Sequence, residues 1–253
     1  FLSCLSDLLR ERRKRTPLTR KLLPKLTSQE YADNLAKRIT NKVQSPKAYG
    51  SQKRSPKASP RDGGTSHISV IDKDGMAVAM TTTINTGYGS KVIAPRSGII
   101  LNNEMDDFST NPGKPNAFGL IQSKYNEIAP GKRPLSSMSP TLITKGGKIV
   151  LAVGASGGPT IITGTLQTLL NVLVFGLEIN DAVSRSRIHH QWFPPLLFIE
   201  SDLPADVVQA LQKRGYKTRV WKVPFTAVQA AQRTKIGLTG ASDPRKHGQT
   251  AVH

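Results

Sequence analysis

The stretch PTIITGTLQTLLNVLVF, Pro159–Phe175, runs for 17 residues without a charged side chain and is followed by Gly176. A helix that is apolar on nearly every face has to be buried between other layers, and the glycine supplies its stop. Bilayer spans need roughly 18 or more consecutive apolar residues, which neither this run nor any other stretch provides. Its flanks read as strands, so sheets with helices packed on them form the architecture this chain can reach.

Ahead of that helix, Thr65–Ile71 and Ala77–Ile84 are rich in Ile, Val, Thr and Met, and the DKDG turn Asp72–Gly75 joins them as a hairpin. Further strands are expected at Gly98–Leu101 and at the pair Thr141–Thr144 and Lys148–Val153, which Gly146-Gly147 connects. After it come helices over Asp181–Arg187 and Pro204–Arg214, the latter capped near Asp202 and ended by Gly215. Strands return at Leu196–Ile199, Lys217–Trp221, Thr226–Ala230 and Lys235–Leu238. The class is α+β with layered sheets, not alternating βα units, and no internal repeat is present. The 253 residues suffice for one large domain or two small ones, and nothing in the sequence forces two.

Upstream of Gly63 the composition changes. LTSQEYADNLAKRI reads as a helix capped by Ser28, with Glu30 early and Lys37 and Arg38 late, in keeping with the helix dipole. Gln44–Arg61 is Ser, Pro and Lys without apolar periodicity, and is therefore expected to be an exposed flexible linker. The net charge of +19 ordinarily points to nucleic acid or an anionic membrane. Phe1–Asp62 holds 16 basic and 5 acidic residues, net +11, leaving 20 and 12, net +8, for the rest. Most of the excess thus belongs to a leader containing RERRKR, without interleaved aromatics, and no specific nucleic-acid partner is expected. Cys4 is the only cysteine, which excludes an internal disulfide and a thiolate metal cluster. FLSCLSDLL is too short and wrongly flanked for a signal peptide. The start at Phe1 points to a fragment whose true beginning lies upstream.

Thr65 follows two glycines and heads the first strand. A threonine hydroxyl is a poor nucleophile without a base, and an N-terminal threonine can use its own α-amine, whose pKa near 8 leaves it substantially neutral at physiological pH. Thr65 gains that amine only if the Gly64–Thr65 bond is cut; the linker makes the bond accessible and the glycines tolerate the strained backbone an attack requires. Taken alone, GGT before a strand is more often a turn. Ser66 and His67 point to opposite strand faces and form no nucleophile–base pair.

NNEMDDF, Asn102–Phe108, concentrates three carboxylates and two amides, suited to a substrate ammonium; a solvated acidic loop and calcium are its rivals, although no EF-hand spacing is present. PLSSM offers the hydroxyls of Ser136 and Ser137. GASGGPT presents a glycine nest at a helix start, a site for an anion or developing oxyanion, and is not a phosphate-binding GxxxxGK[ST] loop. His189-His190 are expected to pack or hydrogen-bond rather than hold a metal.

GTSHISV, TTTIN, SGIILNNEMDDFS, GKRPLSSMSPT, VGASGGPTIIT, HHQW and GASDPRK, taken together, resemble the small-subunit region of the γ-glutamyltransferase (γ-glutamyl transpeptidase) family of N-terminal nucleophile hydrolases. The resemblance runs from Gly64 to about Gly248, and LTSQEYADNLAKRI is similar to the end of that family's large subunit. It implies a four-layer αββα sandwich, incomplete here because most of the large-subunit half is missing. It also divides the chain into a basic leader (1–23), the large-subunit end (24–43), a linker ending at the self-cleavage site (44–64) and a catalytic domain (65–253).

The implied activity is γ-glutamyl transfer from glutathione or another γ-glutamyl donor to an amino acid, dipeptide or water. After autoproteolysis Thr65 is nucleophile and base, and Thr83 supports it. Asn85, Glu104 and Asp107 hold the donor ammonium, Ser136 and Ser137 its carboxylate, and Gly157 and Gly158 form the oxyanion hole. No cofactor or metal is implied. A large-subunit portion completes the fold, and an extracellular, periplasmic or membrane-anchored location follows. The alternatives are a catalytically inactive structural or interaction protein from this family, or a basic surface binder acting through the leader.

Overall fold

The computed structural model describes residues 24–45, 64–114, 116, 124–192, 194–222 and 226–252. The leader, most of the linker and Gly63 lie outside the described residues.

The helix before the linker is α1, Gln29–Ala36, where the Ser28 hydroxyl accepts from the Tyr31 N–H as anticipated. β1 (Thr65–Ile71) and β2 (Ala77–Thr83) form the expected antiparallel hairpin, with Thr65 opposite Thr83 and Ile71 opposite Ala77. Its turn is closed by the Asp72 carboxylate, which accepts from the Met76 N–H, and by Gly75 at φ +96°, where a side chain would be strained.

β3 (Thr141–Lys145) and β4 (Lys148–Ser156) pair around Gly146-Gly147, both at positive φ. The central helix is α2, Thr160–Leu173, followed by α3, Ile179–Ser184. Then come β5 (Ile188–His189), β6 (Leu197–Ile199), α4 (Ala205–Lys213), β7 (Thr218–Val220), β8 (Ala227–Thr234) and β9 (Gly237–Ser242). The four-stranded sheet has the order β3-β4-β8-β9, and a small sheet has the order β5-β6-β7.

Residues Leu151–Ser156 of β4 are buried without alternation, because the hairpin packs on one face of the four-stranded sheet and helices on the other. Leu151, Val153, Val228 and Ala230 from this sheet, Ile161 and Leu169 from α2, and Ile179 and Val183 from α3 make the core. Layered sheets under helices are therefore what the chain builds.

Several local expectations are corrected. Gly98–Leu101 is not a strand; only an isolated bridge, Ile93 to Ile100, forms there. α2 is buried along one side alone, leaving Ile162, Leu166, Leu170 and Leu173 exposed. α4 begins after Pro204 without a side-chain cap, so Asp202 does not cap it. β6 and β7 pair in parallel across α4, which makes one βαβ unit in a chain expected to have none. β8 and β9 extend further than their propensities indicate, meeting at a turn around Lys235.

Candidate active site

Hydrogen bonds and backbone connections link most of the residues singled out in the sequence, starting at the hairpin. Thr65 and Thr83 face each other in the register, and their Oγ1 atoms lie 2.9 Å apart. The Thr83 hydroxyl also accepts from the Asn85 N–H at 2.8 Å. Asn85 adopts φ +75°, a left-handed conformation that asparagine tolerates better than most residues. This turn buries its side chain, and its Nδ2 donates to the Asn103 carbonyl. Thr65 is 7% exposed and Ser66 is exposed, so the nucleophile candidate faces the layer beneath while its neighbour faces out.

The NNEMDDF segment folds as a short 3-10 helix, Glu104–Asp107, tied to the end of β2 through Asn103 Oδ1, which accepts from both the N–H and the hydroxyl of Thr86. Burial pushes the Asp107 carboxyl up to about 6; the Asn85 side-chain hydrogen bond opposes this and the nearby Asp106 charge adds to it. Burial, then the Asp107 charge, also raises the Glu104 carboxyl. Glu104 Oε1 is buried with no hydrogen-bond partner. Two partly buried carboxyl groups, one of them raised by the other's charge and carrying an oxygen without a partner, form an arrangement that a cation would relieve.

Asn126, which sequence reasoning missed, connects this acidic turn to the serine pair. Its Nδ2 donates to the Asp107 carbonyl at 2.6 Å, and its Oδ1 accepts from the Leu135 N–H at 2.9 Å. Ser136 and Ser137 follow directly. The Ser136 hydroxyl accepts from the Met138 N–H, and the Ser137 carbonyl accepts from the Ser139 hydroxyl. Because Thr141 pairs with Val153, the segment entering β3 and the segment leaving β4 lie at the same end of the sheet.

That segment after β4 holds Gly157 at φ +145° and Gly158 at φ +58°, conformations that disfavour any side chain. The Gly157 carbonyl accepts from the Thr160 hydroxyl and N–H, and the Gly158 carbonyl from the Ile161 N–H, so the loop runs straight into α2. The nest sits at the positive end of a helix.

Lys246, also missed, joins the halves. Its ammonium donates to the Thr65 carbonyl at 3.3 Å and to Ser156 Oγ at 2.7 Å. Arg245 beside it belongs to a buried ion cluster: Arg187 pairs with Asp243 at 2.8 Å, and Arg245 with Glu200 at 2.6 Å and Asp243 at 3.0 Å. Only GASDPRK among the quoted motifs signalled this end of the chain.

His67 faces inward two residues after Thr65, between Thr81 Oγ1 at 2.7 Å and Ser69 Oγ at 3.0 Å, and burial lowers it to about 4. It is neutral and structural. His189 is hydrogen-bonded on both ring nitrogens, to Thr163 and Gln191, as its packing role requires. Among the described residues no three His, Cys, Asp or Glu side chains converge as a metal ion requires, and no helix is long and apolar enough to cross a membrane.

A threonine heading an inward-facing strand, with sheets stacked beneath helices, defines the N-terminal nucleophile hydrolase fold. The γ-glutamyltranspeptidase family model matches residues 13–253. The chain belongs to the γ-glutamyltranspeptidase family. It is 42% identical over 225 residues to the glutathione hydrolase proenzyme of Escherichia coli K12, covering 87% of this chain and 38% of that protein. A γ-glutamyltranspeptidase T380A mutant from Helicobacter pylori superposes with a TM-score of 0.68 at 46% identity, covering 71% of this chain and 99% of that one. The Pseudomonas nitroreducens γ-glutamyltranspeptidase complexed with L-DON gives 0.70 at 41%, covering 74% and 98%. The chain spans less than two fifths of the length of the Escherichia coli and Schizosaccharomyces pombe glutathione hydrolase proenzymes it matches.

Proposed function

We propose that this chain carries the catalytic half of a γ-glutamyl transferase and hydrolase whose nucleophile, Thr65, is freed by autoproteolysis at Gly64–Thr65. The observation that carries the reading is the Thr65–Thr83 hydroxyl pair at 2.9 Å, with Thr83 held by the Asn85 N–H. That contact fixes the orientation of an otherwise rotatable hydroxyl. Relatives named as proenzymes are consistent with a cut.

In the uncut chain the Gly64 carbonyl already accepts from the Ile84 N–H at 3.0 Å, which polarises the bond to be broken. Once it is broken, the Thr65 amine takes the hydroxyl proton, Oγ1 attacks the donor's γ-carbonyl, and the N–H groups of Gly157 and Gly158 receive the developing oxyanion. The amine proton passes to the leaving group. An amino acid, dipeptide or water then attacks the resulting ester and regenerates Thr65. Glu104 and Asp107, with Asn85, hold the donor ammonium; Ser136 and Ser137 hold its carboxylate. Glutathione, which the related glutathione hydrolases are named for, is the natural donor class.

The large-subunit portion of the protein completes the site. Supporting this, Ile68, Val70, Val78 and Met80 leave the outer face of the hairpin apolar and exposed. Residues 24–43 are read as the large subunit's end, 44–64 as the linker, and 65–253 as the catalytic domain. An extracellular, periplasmic or membrane-anchored location accompanies this activity.

The test is a gel followed by an assay. Self-cleavage gives fragments of 64 and 189 residues, absent in Thr65→Ala, and the cut protein releases product from a γ-glutamyl anilide. An intact chain that hydrolyses the anilide, or a Thr65→Ser variant no better than Thr65→Ala, overturns the reading.

A further inference from the structure

Gly64 and Ile84 form a hydrogen-bonded pair at the end of the hairpin, so the next pair, Thr65 and Thr83, is of the non-hydrogen-bonded kind. In such a pair the backbone N and C=O point away from the partner strand. Those of Thr65 therefore point to the free edge of β1, into a cavity of about 840 Å³ bounded by β8, β9 and the chain's last residues. Lys246 reaches into this edge. Its Nζ lies 3.3 Å from the Thr65 carbonyl oxygen. Within one residue the nitrogen and the carbonyl oxygen are less than ~4 Å apart, which places the ammonium within about 7 Å of the Thr65 nitrogen. The same ammonium donates to Ser156, the residue just before the glycine nest.

We propose that Lys246 is a positioning residue for the nucleophile: its ammonium ties the Thr65 backbone to Ser156 and its charge holds the freed Thr65 amine in the neutral, proton-accepting form. The inference rests on the function proposed above, since the amine exists only after the cut. A like charge at that distance disfavours protonation of the amine, while the hydrogen bond to the carbonyl keeps nitrogen and ammonium on the same edge.

The other groups around this edge are accounted for. From β1 comes His67, neutral at working pH because burial lowers it to about 4. The lining stretches of β8 and β9, Gln229–Gln232 and Leu238–Ala241, contain no titratable side chain. From the tail come His247 and Arg245, the latter matched to Glu200 and Asp243. From the loop after β2 come Glu104 and Asp107, connected to Thr83 through Asn85. Asp72 and Lys73 stand just past the far end of β1, seven and eight residues along the chain from Thr65.

The test is direct titration of the amine. The cut chain is identified by its N-terminal threonine in mass spectrometry, its amines are reductively methylated with carbon-13 formaldehyde and a borohydride-type hydride donor, and the threonine resonance is followed by NMR against pH. Lys246→Met and Lys246→Gln are expected to raise the amine pKa by about 0.5–1.5. Lys246→Arg, which keeps the charge, and Lys235→Met, at the distant β8–β9 turn, leave it within about 0.2 of the starting value. Lys246→Gln retains a donor, so it separates charge from hydrogen bonding, and it stands in if the methionine variant misfolds. An unmoved amine in both neutral variants overturns the proposal, as does an arginine variant that shifts as far as methionine. A chain that never exposes a threonine amine overturns this proposal together with the function it rests on; a free amine that ignores residue 246 overturns this proposal alone.

Discussion

The imidazole of His67 occupies the space that a side chain on Gly154 would fill. β1 and β4 can approach only because β4 has a gap there, and β1 carries Thr65 two residues before His67. Gly154→Ala is expected to push the strands apart and cost about 1–3 kcal/mol, as overpacked cores do. Urea unfolding measures the loss, and self-cleavage at Gly64–Thr65 should slow in parallel.

His67 also gives a pH signature. Its folded pKa, about 4, is below the ordinary 6.5, so between those values the unfolded chain binds more protons than the folded one. Stability is whole above about pH 6.5, declines as acid crosses the window, and stops declining below about 4. The share of this one group is at most about 3 kcal/mol. Thermal melts of His67→Gln and the parent should converge toward pH 4, because His189 and His190, also lowered by burial, remain in both.

Asp243 is 1% exposed and accepts from Arg187, Arg245 and the Val228 N–H. Asp243→Ala strands the Arg187 guanidinium in the interior and is expected to destabilise the fold by about 3–5 kcal/mol. Denaturant midpoints measure this. A midpoint within error of the parent would show that the cluster adds nothing.

Thr83→Ala removes one partner of the Thr65 hydroxyl and the acceptor of the Asn85 N–H. Hydrolysis of a γ-glutamyl anilide by the cut protein should fall about 10–100-fold in kcat, while the unfolding free energy changes by about 1 kcal/mol.

Asp107, with its pKa pushed up to about 6 by burial, must be ionised to hold an ammonium. Donor affinity should therefore weaken as pH falls through about 6, and KM measured from pH 8 to 5 reports it. Asp107→Asn should abolish that dependence and raise KM at least about tenfold.

The hairpin was legible because runs rich in Ile, Val, Thr and Met flank a DKDG turn, and the turn fixes their register locally. The Thr65–Thr83 pairing follows from that register by counting. Gly98–Leu101 misled because its apolar residues find one bridge and no ladder. The parallel pairing of β6 with β7 depends on packing across α4, and no periodicity encodes it. Asn126 and Lys246 were illegible for a related reason. Asn126 acts through contacts to Asp107 and Leu135, and Lys246 meets Thr65 across 181 positions of chain. The one-sided burial of α2 was hidden because an all-apolar sequence does not reveal which face lacks a partner.

The uncovered sides of the hairpin and of α2 leave two apolar faces in contact with water among the described residues. Whatever covers Ile68 and Met80, or Ile162 and Leu166, and binds the folded form alone would stabilise it by mass action. Heat resistance would then depend on the amount of that covering partner as well as on the chain.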